Sequence, residues 1–533
     1  MQFRFLHPPC LSASGLGSIL LLLAACGNLV AADQRPPNIL FAIADDWGVH
    51  AGAYGTSWVK TPTLDRMARE GLLFHNAFTP TAKCAPSRAC IITGRYPWQL
   101  ESAGNHMAYF PPKFKSWPES LMEKGWFVGI TGKGWGPGEA NDELGKPRRM
   151  TGIPFNRRQT KPPATGIGNN DYAANFVDFL EAVPDGKPWC FWYGAVEPHR
   201  DYEYQSGVRL GGKQLKDVER VPGYWPDTET VRHDMLDYAF EVEYVDNHLA
   251  KMFAELERRG VLDDTLVIFT SDHGMPFPRV KGYAYFDSNH VPLAVRWPKG
   301  IKASGREISD YVSFTDIAAT LLDAAGIARS DSGMASISGA SWRPIFDSQQ
   351  SGQVVATRDH VLIGKERTDV GRPHDWGYPI RGIIRDDFLY IKNYEPSRWP
   401  AGNPETGYLD TDGSPTKSFI LAEGRKDRSN RFWSLNFGMR PGEELYDLKT
   451  DRDCIVNLAA SSEQTARVTL MHDQMTAELK DQQDPRMFGQ GNLFDEYPVA
   501  TAANRNFYER WQAGDKPKAG WVRESDFESQ PLK

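Results

Sequence analysis

Two almost unbroken apolar runs, Asn38 to Ala44 and Thr265 to Thr270, constrain this chain more than any other feature. Neither alternates as a half-exposed strand would; each has the pattern of a parallel strand buried on both faces. Each also stops abruptly on acid, the first at Asp45-Asp46 and the second at Ser271-Asp272-His273-Gly274. Between them Met235, Ala239, Val242, Val245, Leu249, Phe253 and Leu256 recur at helical spacing, which predicts a long amphipathic helix closed by Gly260. Thr61-Pro62 opens another helix by cap and first-turn proline, and Gly71 closes it. Strands alternating with helices predict an α/β fold, a mostly parallel sheet sandwiched by helices. Open sheets of this kind build their sites at the carboxyl ends of the strands, so the two acidic clusters are expected to meet although far apart in sequence.

From about residue 355 the pattern shifts to shorter strand-like runs, Ile380 to Ile384 and Phe388 to Lys392, with Pro and Gly between them. A chain of 533 residues has room for a main domain over 36–354, a smaller α+β subdomain over 355–484 and an aromatic, polar extension over 485–533 that wraps the surface. The balance of 61 Lys+Arg against 68 Asp+Glu gives no general attraction for a polyanion and argues against a nucleic-acid partner. Basic residues that hold an acidic substrate must therefore be gathered locally. At the start of the chain Arg4 precedes an apolar run from Leu16 to Ala25, too short for a membrane span and suited to a signal peptide within residues 1–32. Leu23-Ala24-Ala25-Cys26-Gly27 has the form of a bacterial lipobox with Cys26 as the lipidated residue, ordinary cleavage after Ala32 being the rival. Export to the bacterial periplasm, or as an outer-membrane-anchored lipoprotein, is the expectation. Beyond the leader only Cys84, Cys90, Cys190 and Cys454 remain, which is no disulfide framework. No Asn-x-Ser/Thr acceptor occurs, which weighs against a glycosylated eukaryotic protein.

The chemistry concentrates at Cys84-Ala85-Pro86-Ser87-Arg88, continuing Ala89-Cys90-Ile91-Ile92-Thr93-Gly94-Arg95. Pro86 suits a first helical turn and Gly94 a helix end. Cys84 then stands at a helix N-terminus, where the dipole and free N–H groups favour an oxyanion. Asp45, Asp46 and Asp272 offer hard oxygen ligands suited to Ca²⁺ or Mg²⁺ and not to a soft metal. The stretch resembles the Cys-x-Pro-x-Arg…Thr-Gly-Arg signature of the type I sulfatases, members of the alkaline-phosphatase-like superfamily. That resemblance implies oxidation of Cys84 by a formylglycine-generating maturation enzyme. The hydrated aldehyde carries two hydroxyls, one to attack sulfur and one to collapse and expel sulfate. It implies that Arg88 holds the ionised hydroxyl and that Asp45, Asp46, Asp272 and His273 hold one divalent cation. His273 stands where many relatives have Asn.

Other segments match in order. Lys133, in Thr131-Gly132-Lys133-Gly134-Trp135, resembles the lysine that binds sulfate and the nucleophile; where the family often has His two places on, this chain has Trp135, leaving His106 as a substitute. Glu197-Pro198-His199-Arg200 resembles the Asp-Pro-His-Arg segment of sulfamidases, which makes His199 the general-acid candidate and Arg200 a neighbour of the substrate. Lys281 falls where relatives place a cation on the sulfate. Gly52-Ala53-Tyr54, Thr61-Pro62-Thr63-Leu64-Asp65 and the run from Asp264 to Pro278 are also similar to the sulfamidase branch. The implied reaction is removal of sulfate from a sulfated glycan, N-sulfoglucosamine first. The alternatives are an O-sulfatase for another polysaccharide, a phosphonate or phosphodiester hydrolase of the same superfamily, and a non-catalytic glycan-binding lipoprotein. Glu366, Arg367, His374, Tyr378 and Arg381 form a polar stretch expected to close over the cleft and read the sugar.

Overall fold

The computed structural model describes residues 35–532; the leader, Cys26 and the cut after Ala32 lie outside the described residues. The first apolar run is strand β1, Asn38–Ala44. The second is β8, Thr265–Ser271, buried along its whole length. They pair in parallel, from Asn38 opposite Thr265 to Ala44 opposite Ser271, so both acidic clusters leave the same edge side by side.

Around this pair the described residues build an eight-stranded sheet. It takes in β2 (Leu72–Phe78), β4 (Phe127–Gly132), β6 (Ile153–Pro154), β7 (Trp189–Gly194), β9 (Leu293–Arg296) and β10 (Arg306–Ser313). The order is β10-β2-β9-β8-β1-β7-β4-β6. Only β9 runs against its neighbours β2 and β8. The α/β expectation holds, and the reason is burial: one apolar cluster fills each face of the sheet, with Leu40, Ala42 and Phe269 on one side and Ile39, Phe41 and Ile268 on the other. Two short strands, β3 (Ala108–Tyr109) and β5 (Gly138–Glu139), pair apart from it.

The long helix spans Glu229–Arg258 and carries the expected apolar stripe as buried residues. Gly260, at φ 69°, follows it in the left-handed region that glycine enters without strain. Helix α1, Pro62–Glu70, starts at its proline, but Thr61 does not cap it through its side chain. Its hydroxyl instead accepts from the Gly52 N–H at 3.0 Å.

The second half forms a separate antiparallel sheet, β11 (His360–Lys365), β12 (Ile380–Arg385), β13 (Phe388–Asn393) and β14 (Glu443–Asp447), in that order. One face packs on the helix Thr465–Asp481 through Met471, Met475 and Leu479. The C-terminal extension does not merely wrap the surface, because Trp521 reaches the main cavity.

Candidate active site

Helix α2, Cys84–Thr93, is buried at every residue and ends at Gly94, whose φ of 69° lets its N–H reach the Cys90 carbonyl. Cys84 opens the first turn, at the floor of a cavity of about 440 Å³. The helix is tied to the end of β8 twice: Ser87 Oγ donates to the Asp272 carbonyl at 2.6 Å and Arg88 Nε to Asp272 Oδ2 at 2.8 Å. The remaining Arg88 N–H groups go to Lys133 O and Gly134 O, both at 3.0 Å, and to Ala44 O and Asp45 Oδ1 at 3.5 and 3.4 Å. All five donors therefore have protein acceptors. Arg88 thus ties the ends of β1, β4 and β8 to the helix that Cys84 opens.

Asp45, Asp46, Asp272 and His273 each present one ligand atom within 4.8 Å of the others, all buried. Asp46, at φ 75°, bends β1 out of its sheet and turns its carboxylate inward. Its Oδ1 and His273 Nε2 lie 2.9 Å apart and pair only when the imidazole is protonated; neither has any other hydrogen-bond partner. The other imidazole nitrogen, Nδ1, lies 2.9 Å from Gly274 O and donates to it in the tautomer that leaves Nε2 bare. Orphaned buried donor atoms beside three carboxylates, with the histidine braced by a backbone carbonyl, fit a hard divalent cation. Burial opposes charge on His273, but Asp272 and Asp46 outweigh it and push its pKa up to about 10. Burial and the nearby Asp45 raise Asp272 to about 6. Binding a cation here therefore displaces protons.

Two lysines meet this cluster and a third, Lys83, lines the same cavity. Lys133, at the end of β4, reaches Asp45 Oδ2 at 2.6 Å. Lys281 bridges Asp46 Oδ2 at 2.7 Å and Asp412 Oδ2 at 2.6 Å. Burial would raise Asp46, but Lys281 overrides it and lowers the pKa to about 2. Lys83 pairs with Asp369 Oδ2 at 3.2 Å. Burial likewise opposes ionisation of the Cys84 thiol, while Lys133 and His106 win and hold its pKa well below the ordinary thiol range.

His106 Nε2 is 3.3 Å from Cys84 Sγ. Its other nitrogen faces Asp369 Oδ2 at 3.7 Å. Trp135 lies under the helix instead, donating Nε1 to Ala85 O at 2.9 Å with its ring edge on Phe110. His199 Nδ1 is 2.7 Å from Arg200 O, and Nε2 stands 3.9 Å from Asp412 and 4.0 Å from Asp46. It lines the same cavity as Cys84, Lys133 and Lys281.

The other predicted residues make their contacts with the protein outside the cavity lining. Arg200 forks onto Asp234 at 2.7 and 2.9 Å and stacks on Phe277 and Tyr202, joining its loop to the long helix. Glu366 pairs with Arg381 at 2.7 Å and Arg486 at 2.8 Å, and Arg381 with Asp484 at 2.7 Å. Arg367 donates to the Tyr497 carbonyl at 2.7 Å, and Tyr378 OH accepts from Asn393 at 2.8 Å. His374 is exposed beside Glu509. None of the five lines the cavity. The charges of Glu366, Arg367 and Arg381 form a buried joint between the second sheet and the 484–509 segment, which on polarity alone reads like a binding surface. Sequence reasoning missed Lys83, Asp369 and Asp412. Lys83 adjoins Cys84 and was available; nothing local in Thr368-Asp369-Val370 or Thr411-Asp412-Gly413 shows that these loops return to the main sheet.

Residues 37–327 match the family model described as sulfatase. The chain belongs to the sulfatase family. As a sulfatase it is a hydrolase. It is 26% identical over 522 residues to human N-sulphoglucosamine sulphohydrolase, covering 90% of this chain and 96% of that one. It is also 26% identical over 475 residues to an ulvan-active sulfatase of Formosa agariphila, covering 80% of the sulfatase and 72% of that relative. A solved structure, described as a complex with its substrate D-glucosamine-2-N,6-O-disulfate, shares the fold with TM-score 0.59 and 18% identity, over 84% of this sulfatase and 99% of that chain.

Proposed function

We propose that this sulfatase removes a sulfate group from a sulfated glycan, with N-sulfoglucosamine as the preferred substrate. The observation that carries the reading is Cys84 Sγ at the cavity floor, 3.3 Å from His106 and at the first turn of a buried helix. The preference for an N-sulfated sugar rests on similarity to a sulfamidase over nearly the whole of both chains. Cys84, once converted to formylglycine, would supply a geminal diol as nucleophile, and Asp45, Asp46, Asp272 and His273 would hold a Ca²⁺ that would supply Lewis acidity. Lys133 and Lys281 hold the sulfate and stabilise the charge that spreads over its oxygens. His106 exchanges a proton with the group at position 84. His199 Nε2 faces the cavity and donates a proton to the departing amine or alcohol.

Sulfate release from N-sulfoglucosamine beside a panel of O-sulfated sugars, read by ion chromatography on protein whose Cys84 peptide mass shows full conversion, tests this. Selective release from the N-sulfated sugar is expected. Release only from O-sulfated sugars would shift the reading to the second candidate, an O-sulfatase. Silence from fully converted protein across the panel would reject both. Export as a lipoprotein is proposed on the Cys26 segment, and Cys26→Ala is expected to move the protein from the membrane fraction to the soluble one.

A further inference from the structure

The cavity lining is of two kinds. Lys83, Lys133, Lys281, Asp369 and Asp412 share it with Cys84 as an ionic set, the floor, whereas Met107, Pro137 and Trp521 are apolar. Among the described residues that line it, Trp521 is the only Trp, Tyr or Phe.

Trp521 is held in place from both ends. Its Nε1 donates to Leu409 O at 2.9 Å, and its own carbonyl accepts from Gly413 N–H at 2.7 Å. Gly413 directly follows Asp412, so the tail is fastened next to a residue of the cavity floor. A Cβ at Gly413 would come within 2.9 Å of Arg523 N and 3.0 Å of Val522 Cα, which shows how closely the tail is laid down. Beyond it Asp526 makes a fully buried pair with Lys417 at 3.3 Å, and Glu528 receives Arg425 and Arg428 at 3.1 and 2.9 Å. One side of the indole packs with the cluster of Met107, Val370 and Leu409, yet the residue stays half-buried.

A ring held by its Nε1–H bond, on a backbone pinned at Gly413, half-buried and lining a cavity that also holds three lysines, suits a ligand that is anionic at one end and apolar on one face. A pyranose ring is such a ligand, since its axial C–H bonds form an apolar face that packs on an aromatic ring. We propose that Trp521 is a specificity-determining residue: the C-terminal tail supplies the wall that receives the sugar ring whose sulfate is held on the floor. The inference rests on the sulfatase acting on a sugar sulfate.

The test uses a non-turning Cys84→Ser background in calcium-containing buffer, with calorimetric titration of N-sulfoglucosamine and, separately, of inorganic sulfate. Trp521→Ala is expected to weaken sugar binding about tenfold, Trp521→Phe to stay within about threefold of the parent, and sulfate affinity to be the same in all three. In converted enzyme Trp521→Ala should raise KM and leave kcat unchanged, the pattern of lost uniform binding. Unchanged sugar affinity in Trp521→Ala would overturn the inference. So would an equal loss for sulfate and sugar, which would show that the tail only supports the floor; the phenylalanine variant, which keeps the apolar ring, separates stacking from such a collapse. A parent protein that binds sulfate but not the sugar would reject the sugar reading and the wall with it, whereas one that binds neither would reject the catalytic reading itself.

Discussion

A side chain beside Cys84 comes from a loop, since His106 stands 3.3 Å from Cys84 Sγ while Trp135 is turned away under the helix. His106→Ala should therefore lower kcat/KM by about 10²-fold or more, the range for a lost general acid or base. Asp369→Asn, which keeps the shape but removes the charge facing Nδ1, should lower it less and displace the pH profile; an unchanged profile would show that Asp369 only neutralises Lys83. Arg88 acts at the same scale by a different route. Its removal leaves Asp272 buried without its guanidinium partner and Asp45 with Lys133 alone, and breaking a buried pair costs about 3–5 kcal/mol. Arg88→Ala should show that loss in denaturant unfolding, and Arg88→Lys, with three donors instead of five, should recover only part of it.

At the scale of elements, the site depends on where β4 stops. Gly132, at φ 77°, ends the strand opposite Gly194 and turns the chain so that Lys133 points at Asp45. A Cβ there would lie 2.0 Å from the Gly194 carbonyl oxygen, a backbone atom that cannot swing aside. Gly132→Ala should thus cost about 2 kcal/mol or more in stability and lower activity with it, since β4 and β7 must part to admit the methyl. The same scale shows what the sequence could tell. β1, β8, α2 and the Glu229–Arg258 helix were legible because burial on both faces, a capped end or a helical stripe leaves a local pattern. The runs at 380–384 and 388–392 were legible as strands for the same reason. Glu366, Arg367 and Arg381 misled because a charge buried against an opposite charge is written with the same letters as a charge facing water. Asp412 and Trp521 were silent because their place at the site depends on contacts with residues far away in sequence.

At the scale of the whole molecule, the site is a seam: strand ends of the main sheet, Asp369 and Asp412 from the second half, and Trp521 from the tail close one cavity. A cation bound among Asp45, Asp46, Asp272 and His273 binds only the folded chain, and free cation at a hundred times its Kd adds about 2.7 kcal/mol of stability. Chelation should lower Tm by several degrees, reversibly with added Ca²⁺, and Asp272→Ala should abolish the difference. Stability against acid is a second global property, and it has contributions of both signs. Burial raises Asp237 and Asp246 to about 6, so the folded chain takes up their protons first and gains stability as pH falls towards their ordinary values. His290 works the other way. Burial, helped by Arg452, lowers its pKa from 6.5 to about 3, and its Nε2 donates to the His75 carbonyl at 2.6 Å. Its folded pKa lies below the unfolded one, so the unfolded chain binds the extra proton between about pH 6.5 and 3, and stability present above 6.5 is lost through that window. One unit of pH is worth about 1.4 kcal/mol per such group, which makes the loss about 2 kcal/mol from pH 7 to pH 5. Because Asp237 and Asp246 offset it, the pH curve of the parent alone cannot display this term. His290→Gln, which keeps a donor for His75 O and cannot titrate, isolates it: the gap in unfolding free energy between parent and variant should move by about 2 kcal/mol in the variant's favour between pH 7 and pH 5. A gap that does not change with pH would mean that His290 is protonated as readily in the folded chain as in the unfolded one.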